Sequence, residues 1–160
     1  DRGTKSNTNP TDYTTDVMTA LIAGRNIINE NAGNTLTDDQ MTELLVQRDM
    51  VVAVWEKAVA ATVVHYINDV TADLSTLGSA DFNYADTAKH WSELKGFALG
   101  LQFNPYSSIN DEQFAELHQL IGDAPVLDSL TIADYLVALE SARDILETAL
   151  EFDAENVANW

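Results

Sequence analysis

Residues 55–67 read WEKAVAATVVHYI, and this stretch decides the fold class. Its side chains are apolar nearly all the way round a helical wheel, which is typical of a helix buried at the centre of a domain. The many Val and Thr residues would also suit a β-strand. Because the run is long and rich in alanine, we predict a helix.

The helical pattern extends in both directions from this stretch. No glycine or proline occurs from Leu36 to Leu77, and Thr37 with Gln40 has the spacing of a capping box. The interval predicts either one helix of about 35 residues or two helices joined by a kink.

Apolar residues recur at helical spacing in four further segments, residues 14–33, 84–103, 111–121 and 131–152. Thr14 or Thr15 would cap the first, Ser108 or Asn110 the third, and Thr131 opens the last. The chain therefore predicts an all-α bundle of about five helices, with a polar N-terminal arm over residues 1–13 and one domain over residues 14–160.

Glycines punctuate these predicted helices. Gly33 and Gly122 stand where the first and third of them should end. Gly24 lies inside a helix, which is typical of close backbone packing, and Gly96 with Gly100 forms a pair one turn apart. We expect another backbone to approach that pair.

The chain is strongly acidic. Its 160 residues include 26 acidic and 8 basic ones, for a formal net charge of −18. Nucleic acids and anionic membrane surfaces are polyanions, so the charge argues against both as partners and favours cations or basic proteins. The absence of cysteine excludes disulfides and thiolate metal sites. No uninterrupted apolar run reaches the roughly 18 residues that a membrane span needs.

The candidate site is in residues 89–105, KHWSELKGFALGLQFNP. On a helical wheel His90 and Glu93 share one face, and an imidazole with a carboxylate makes half of an Fe or Zn site. His65 would complete a two-histidine, one-carboxylate set if its helix packs against this one. Alternatively, His90 bonds to Glu93 or to a neighbouring helix, and His65 is an ordinary core histidine.

Other polar and aromatic residues have simpler interpretations. Glu56 points away from His65 on the wheel and is predicted to be structural. His118 is predicted to lie at the surface, and Trp55 and Trp91 in the core.

Several segments together resemble the imelysin-related family of bacterial envelope proteins, and more narrowly its subgroup classified as a domain of unknown function. They are LIAGRNII, WEKAVAATVVHYIN, HWSELKGFALGLQFNP, LIGDAPVL and ARDILETALEFDAENVANW, and the resemblance covers roughly residues 15–160. The family signature is GxHxxE. His90 and Glu93 match its histidine and glutamate, while Ala88 stands at its glycine position.

The resemblance implies an imelysin-like bundle that forms the C-terminal half of a longer, two-half precursor. It also implies export to the periplasm, the outer membrane surface or the medium, often as a lipoprotein, and a link with iron uptake. The expected partners are the N-terminal half of the same precursor or further copies of this chain.

Three functions follow as hypotheses. The first is a non-catalytic envelope module that binds Fe, Zn or another ligand. The second is a structural subunit that assembles with the other half of a cleaved precursor or in a surface polymer. The third is an imelysin-type metallopeptidase with Glu93 as metal ligand or base.

Overall fold

The computed structural model describes residues 9–160, and in that range the chain is helical and contains no strand. The six α-helices are α1 (Tyr13–Glu30), α2 (Asp38–Ser75), α3 (Tyr84–Gly100), α4 (Asp111–Ile121), α5 (Ile132–Leu150) and α6 (Ala154–Asn159). The all-α prediction is confirmed. The helices number six in the described range because the residues after 152, for which no helix was predicted, form α6.

The N-terminal arm is only partly described. Residues 1–8 lie outside the described range, so the predicted arm is visible only from Asn9 onward. The predicted caps Thr14 and Thr15 are wrong, because Asp12 caps α1 by accepting a bond from the Thr15 amide. The backbone carbonyl of Asn9 accepts a hydrogen bond from the side-chain amide of Asn156 (Nδ2) at 2.7 Å, and this bond joins the segment to α6.

Helix α2 is one unbroken helix of 38 residues. Of the two alternatives predicted for residues 36–77, one continuous helix is therefore observed and two helices joined by a kink are not. No glycine or proline interrupts the helix, so nothing in the sequence requires a kink. Its start is the predicted capping box. The Thr37 hydroxyl accepts from the Gln40 amide, and the Gln40 side chain accepts from the Thr37 amide.

The core forms around the C-terminal half of α2. This half contacts α3, α5 and α6, while α4 packs on α5. The largest fully buried side chains include Ile67 of α2, Leu94 of α3, Leu117 of α4, and Leu139 and Leu146 of α5. α6 closes the bundle, because Trp160 packs edge-on against Phe152 with ring centroids 4.9 Å apart.

Helix α1 packs antiparallel along the N-terminal half of α2. Gly24 is buried there, and a Cβ on it would lie 3.4 Å from Leu44 and 3.5 Å from Gln47. The predicted close approach at this glycine is confirmed. The turn between the helices contains Gly33, whose φ of +84° favours glycine, although α1 itself ends at Glu30.

Two boundary predictions for the other helices are confirmed. Asn110 caps α4 through a capping box with Gln113, and Gly122, with φ of +78°, ends it. The predicted helix over residues 84–103 ends as α3 at Gly100 and continues as a short 3₁₀ turn, Leu101–Phe103.

Two packing predictions are wrong. A Cβ on Gly96 or Gly100 would meet no atom within 4 Å, because α3 packs through its opposite face, where Leu94 and Ala98 are buried. Trp55 is 66% exposed instead of belonging to the core, because it lies on the half of α2 that extends beyond the bundle. Trp91 is partly buried against the core, as predicted.

Helix α2 is also the one described helix whose length and composition would allow it to cross a membrane. The core helix of a bundle meets the same criteria. The absence of a membrane span stays a prediction.

Candidate functional site

His90 contacts α2 and not its helical neighbour Glu93. Its Nδ1 lies 2.8 Å from Oδ2 of Asp73, and each of the two side chains is 22% exposed. Of the two structural alternatives predicted for His90, a bond to Glu93 or a bond to a neighbouring helix, the second is therefore observed. The hydrogen bond between the Asp73 carboxylate and Nδ1 fixes the orientation of the imidazole ring. Nε2 is the ring nitrogen that takes no part in this bond.

Glu93 forms its ion pair within α3. Its Oε2 lies 3.6 Å from Nζ of Lys89, one turn earlier; the Lys89 side chain is exposed, whereas the Glu93 side chain is partly buried. Such i,i+4 pairs contribute only a few tenths of a kcal/mol. His90 and Glu93 thus share a region of α3 but have different partners.

His65 lies two helical turns before Asp73 on α2. Its Nε2 is 3.1 Å from Oδ2 of Asp69. The ring of Tyr66 lies 4.9 Å from the His65 ring and 6.2 Å from the His90 ring, centroid to centroid. The packing of α2 on α3 therefore brings the two histidines into one neighbourhood, but each is bonded to its own aspartate.

This neighbourhood does not show the donor arrangement of a metal site. Within residues 9–160, no group of three or more His, Asp or Glu side chains is placed to hold one ion. A tetrahedral or octahedral metal site usually has at least three converging protein ligands. Water molecules can occupy the remaining positions. The assignment of His90, Glu93 and His65 as Fe or Zn ligands stays a prediction, and we derive no reaction step from it.

His118 is not the surface residue that the sequence predicted. It is partly buried on α4, with the Phe114 ring 4.4 Å away, and it approaches Lys95 of α3. Burial and then the Lys95 ammonium lower the pKa of His118 below its ordinary value of 6.5. His118 is therefore preferentially neutral in the folded chain.

This shift gives a pH-dependent stability. The unfolded chain binds a proton at His118 near its ordinary pKa, whereas the folded chain resists it, so stability falls as the pH drops below about 6.5. When the pH is lowered from about 7 to about 5, we expect the free energy of unfolding to fall less in His118→Gln than in the wild type. Urea unfolding at both pH values measures this. Identical losses in the two proteins would show that His118 makes no contribution.

A second candidate site lies at the other end of the molecule, on the α1–α2 hairpin. One side of α1 carries a stripe of residues spaced alternately by four and three, namely Thr14, Met18, Leu21, Arg25 and Ile28. One side of α2 carries a stripe of the same spacing, namely Met41, Leu45, Arg48, Val52, Trp55 and Val59. This is the a/d spacing of coiled coils.

The two stripes border one groove, which we call the hairpin groove. Its widest part has a volume of about 540 Å³, and its lining includes Leu21, Ile28, Leu45 and Val52. A second cavity of about 460 Å³ shares Val52 with it and continues past Trp55 to the segment after α3. An apolar channel therefore follows α2 from the hairpin to the end of α3.

Several apolar side chains of the two stripes are exposed. Those at least 39% exposed are Met18, Leu21, Ile28, Met41, Leu45 and Trp55, while Ile22, Val46 and Met50 are exposed on other sides of the same helices. Single exposed apolar residues are normal on protein surfaces, but a contiguous set bordering a groove marks an interaction site. The groove was not predicted from the sequence, although the four-three spacing is visible there.

No family model, curated protein or solved structure matches this chain significantly.

Proposed function

We propose that this chain is a structural assembly module of the imelysin-like type, and that its hairpin groove packs against a helical segment of another polypeptide. One observation carries the proposal. Both helices of the hairpin present an a/d stripe to the same side, and most residues of both stripes are exposed in the described structure, Val52 and Val59 being partly buried.

The architecture supports this function. The C-terminal half of α2 is covered by α3, α5 and α6, whereas its N-terminal half is paired chiefly with α1. Two helices form one layer, and an apolar face is stable only when a second layer covers it. A further helix in the groove would supply that layer with the knobs-into-holes packing that the spacing allows.

The resemblance supports the same proposal from the sequence. Imelysin-related proteins are built from two bundle-like halves, so one half must present a face to the other. An exported module of the cell envelope that joins its partner through the hairpin groove fits this organisation. Iron binding through His90 and peptidase activity through Glu93 stay separate predictions, since neither explains the open groove.

Photocrosslinking tests the proposal directly. A benzophenone amino acid replaces Leu21 or Leu45, both at the groove, and the variants are irradiated in the cells that naturally produce the protein. We expect one covalent product of defined mass at both positions, because a docked helix lies within reach of both side chains. Mass spectrometry of the product identifies the partner and the crosslinked segment.

Val137 provides the matched control, since it is an apolar residue on α5 that is 62% exposed and lies away from the groove. It should give no such product. Monomer alone at Leu21 and Leu45, or the same product at all three positions, would overturn the assembly proposal.

A further inference from the structure

The hairpin groove carries two cations in an otherwise uncharged lining. Arg25 of α1 and Arg48 of α2 both line its widest part, and no carboxylate of residues 9–160 does. Gly24 packs against Leu44 and Gln47 and the two helices are antiparallel, so Arg25 lies level with residues 44–46 and Arg48 lies about one helical turn away along the groove. Six basic residues fall within the described range, so two of them in one apolar groove is a marked concentration in so acidic a chain.

Neither arginine is strongly neutralised by a carboxylate of the described residues. Arg25 forms no ion pair with a carboxylate of residues 9–160. Arg48 donates to Oδ1 of Asp49 at 2.6 and 2.8 Å, and its guanidinium lies 5.0 Å from the centroid of the Tyr106 ring. Both members of the Arg48–Asp49 pair are about half exposed, and such pairs contribute little, so an incoming carboxylate can replace Asp49.

A second copy of this chain fits the groove poorly. Arg48 lies near the middle of its stripe, so a two-fold arrangement would place it within about one helical turn of the same residue in the other copy. Four guanidinium groups would then share one desolvated layer, with the two Asp49 carboxylates as the only described acidic partners, and the excess of like charge in such a layer is repulsive. The net charge of −18 on each copy opposes association further.

We propose that the groove binds an amphipathic helix of a different polypeptide, one that carries an Asp or Glu in its apolar seam at the level of Arg25 and Arg48. This inference rests on the assembly function proposed above and specifies the partner. Apolar seam residues of the bound helix would pack between the two stripes. The carboxylate would accept charge-assisted bonds from both guanidinium groups and would fix the register of the helix.

Synthetic helices test the charge preference. The probes are three-heptad peptides without tryptophan that have Leu and Ile in the seam and either Glu or Lys at its central position. Trp55 reports binding, because it lies in the groove and is exposed, whereas Trp160 is buried and Trp91 donates to Tyr135. We expect a blue shift of emission with the Glu peptide and about tenfold weaker binding of the Lys peptide.

Charge-reversed variants provide the decisive test of this charge preference. In Arg25→Glu/Arg48→Glu the preference should invert, so that the Lys peptide binds more tightly. Lys89→Glu is the control, since Lys89 is exposed on α3 away from the groove; it lowers the net charge by half as much as the double variant and as much as each single arginine reversal. Lys89→Glu should keep the wild-type preference.

Several outcomes would overturn the inference. They are equal binding of both peptides, no binding of either, an unchanged preference in the double variant, or a blue shift with neutral phosphatidylcholine vesicles in place of the Glu peptide. The assembly proposal would survive each of these if Leu21 and Leu45 still crosslinked to a partner in cells. A crosslinked product of two copies of this chain would support assembly but refute the acidic helix.

Discussion

Replacing Ile67 by alanine should lower the free energy of unfolding by about 3 kcal/mol. Ile67 is 1% exposed and lies in the C-terminal half of α2, where the helix passes through the core. Removing most of its side chain loses the transfer free energy of the buried carbons, and it leaves a cavity that the surrounding helices can fill only in part.

Ile22→Ala is the matched control for this substitution. Ile22 has the same side chain, lies in a helix and is 43% exposed on α1. Its replacement should change stability by about 0.5 kcal/mol or less. Urea unfolding followed by far-UV circular dichroism measures both variants. Equal destabilisation by the two substitutions would contradict the placement of the core around the C-terminal half of α2.

The fold could be predicted from the sequence where the local signals agreed. Thr37 and Gln40 fixed the start of α2, and the lack of glycine or proline up to Leu77 kept it continuous. Asn110 and Gly122 marked the ends of α4 because a cap and a positive φ are local properties. The six residues of α6 are too few to show a helical period, so the sequence did not reveal this helix.

Packing between helices was predicted less well. Periodicity identifies an apolar face but not the element that covers it. Gly96 and Gly100 form the expected pair on α3, yet they face solvent because Leu94 and Ala98 take the contact with α2. Trp55 lies on an apolar side of α2 and is exposed because no described helix covers that side.

The same limit applies to the two candidate sites. The Asp73 partner of His90 could not be inferred, because it depends on the register between α2 and α3. The stripes of the hairpin groove were present in the sequence at four-three spacing. They were hidden because α2 is apolar nearly all round, and only the structure shows which of its faces stays open.

The position of Glu56 on the helical wheel of α2 led to a prediction that the structure bears out, namely a structural role. It was predicted to be structural because it points away from His65, and it is 4% exposed. Its carboxylate accepts a short hydrogen bond from the Ser107 hydroxyl and one from the Ser108 amide at 2.9 Å. The Ser107 oxygen in turn accepts from the Ile109 amide at 3.0 Å. One carboxylate therefore fastens the segment before α4 to α2, beside the end of the groove.

Glu56→Ala should therefore lower the free energy of unfolding by about 2 kcal/mol, because it leaves the Ser107 and Ser108 donors without their acceptor in a partly buried place. Glu56→Gln keeps one acceptor oxygen and should lose only about half as much. Glu112→Ala, on the exposed first turn of α4, serves as the control and should lose less than Glu56→Ala. Urea unfolding ranks the three variants. A Glu56→Ala protein as stable as the wild type would show that α2 and the segment before α4 are held together by apolar packing alone.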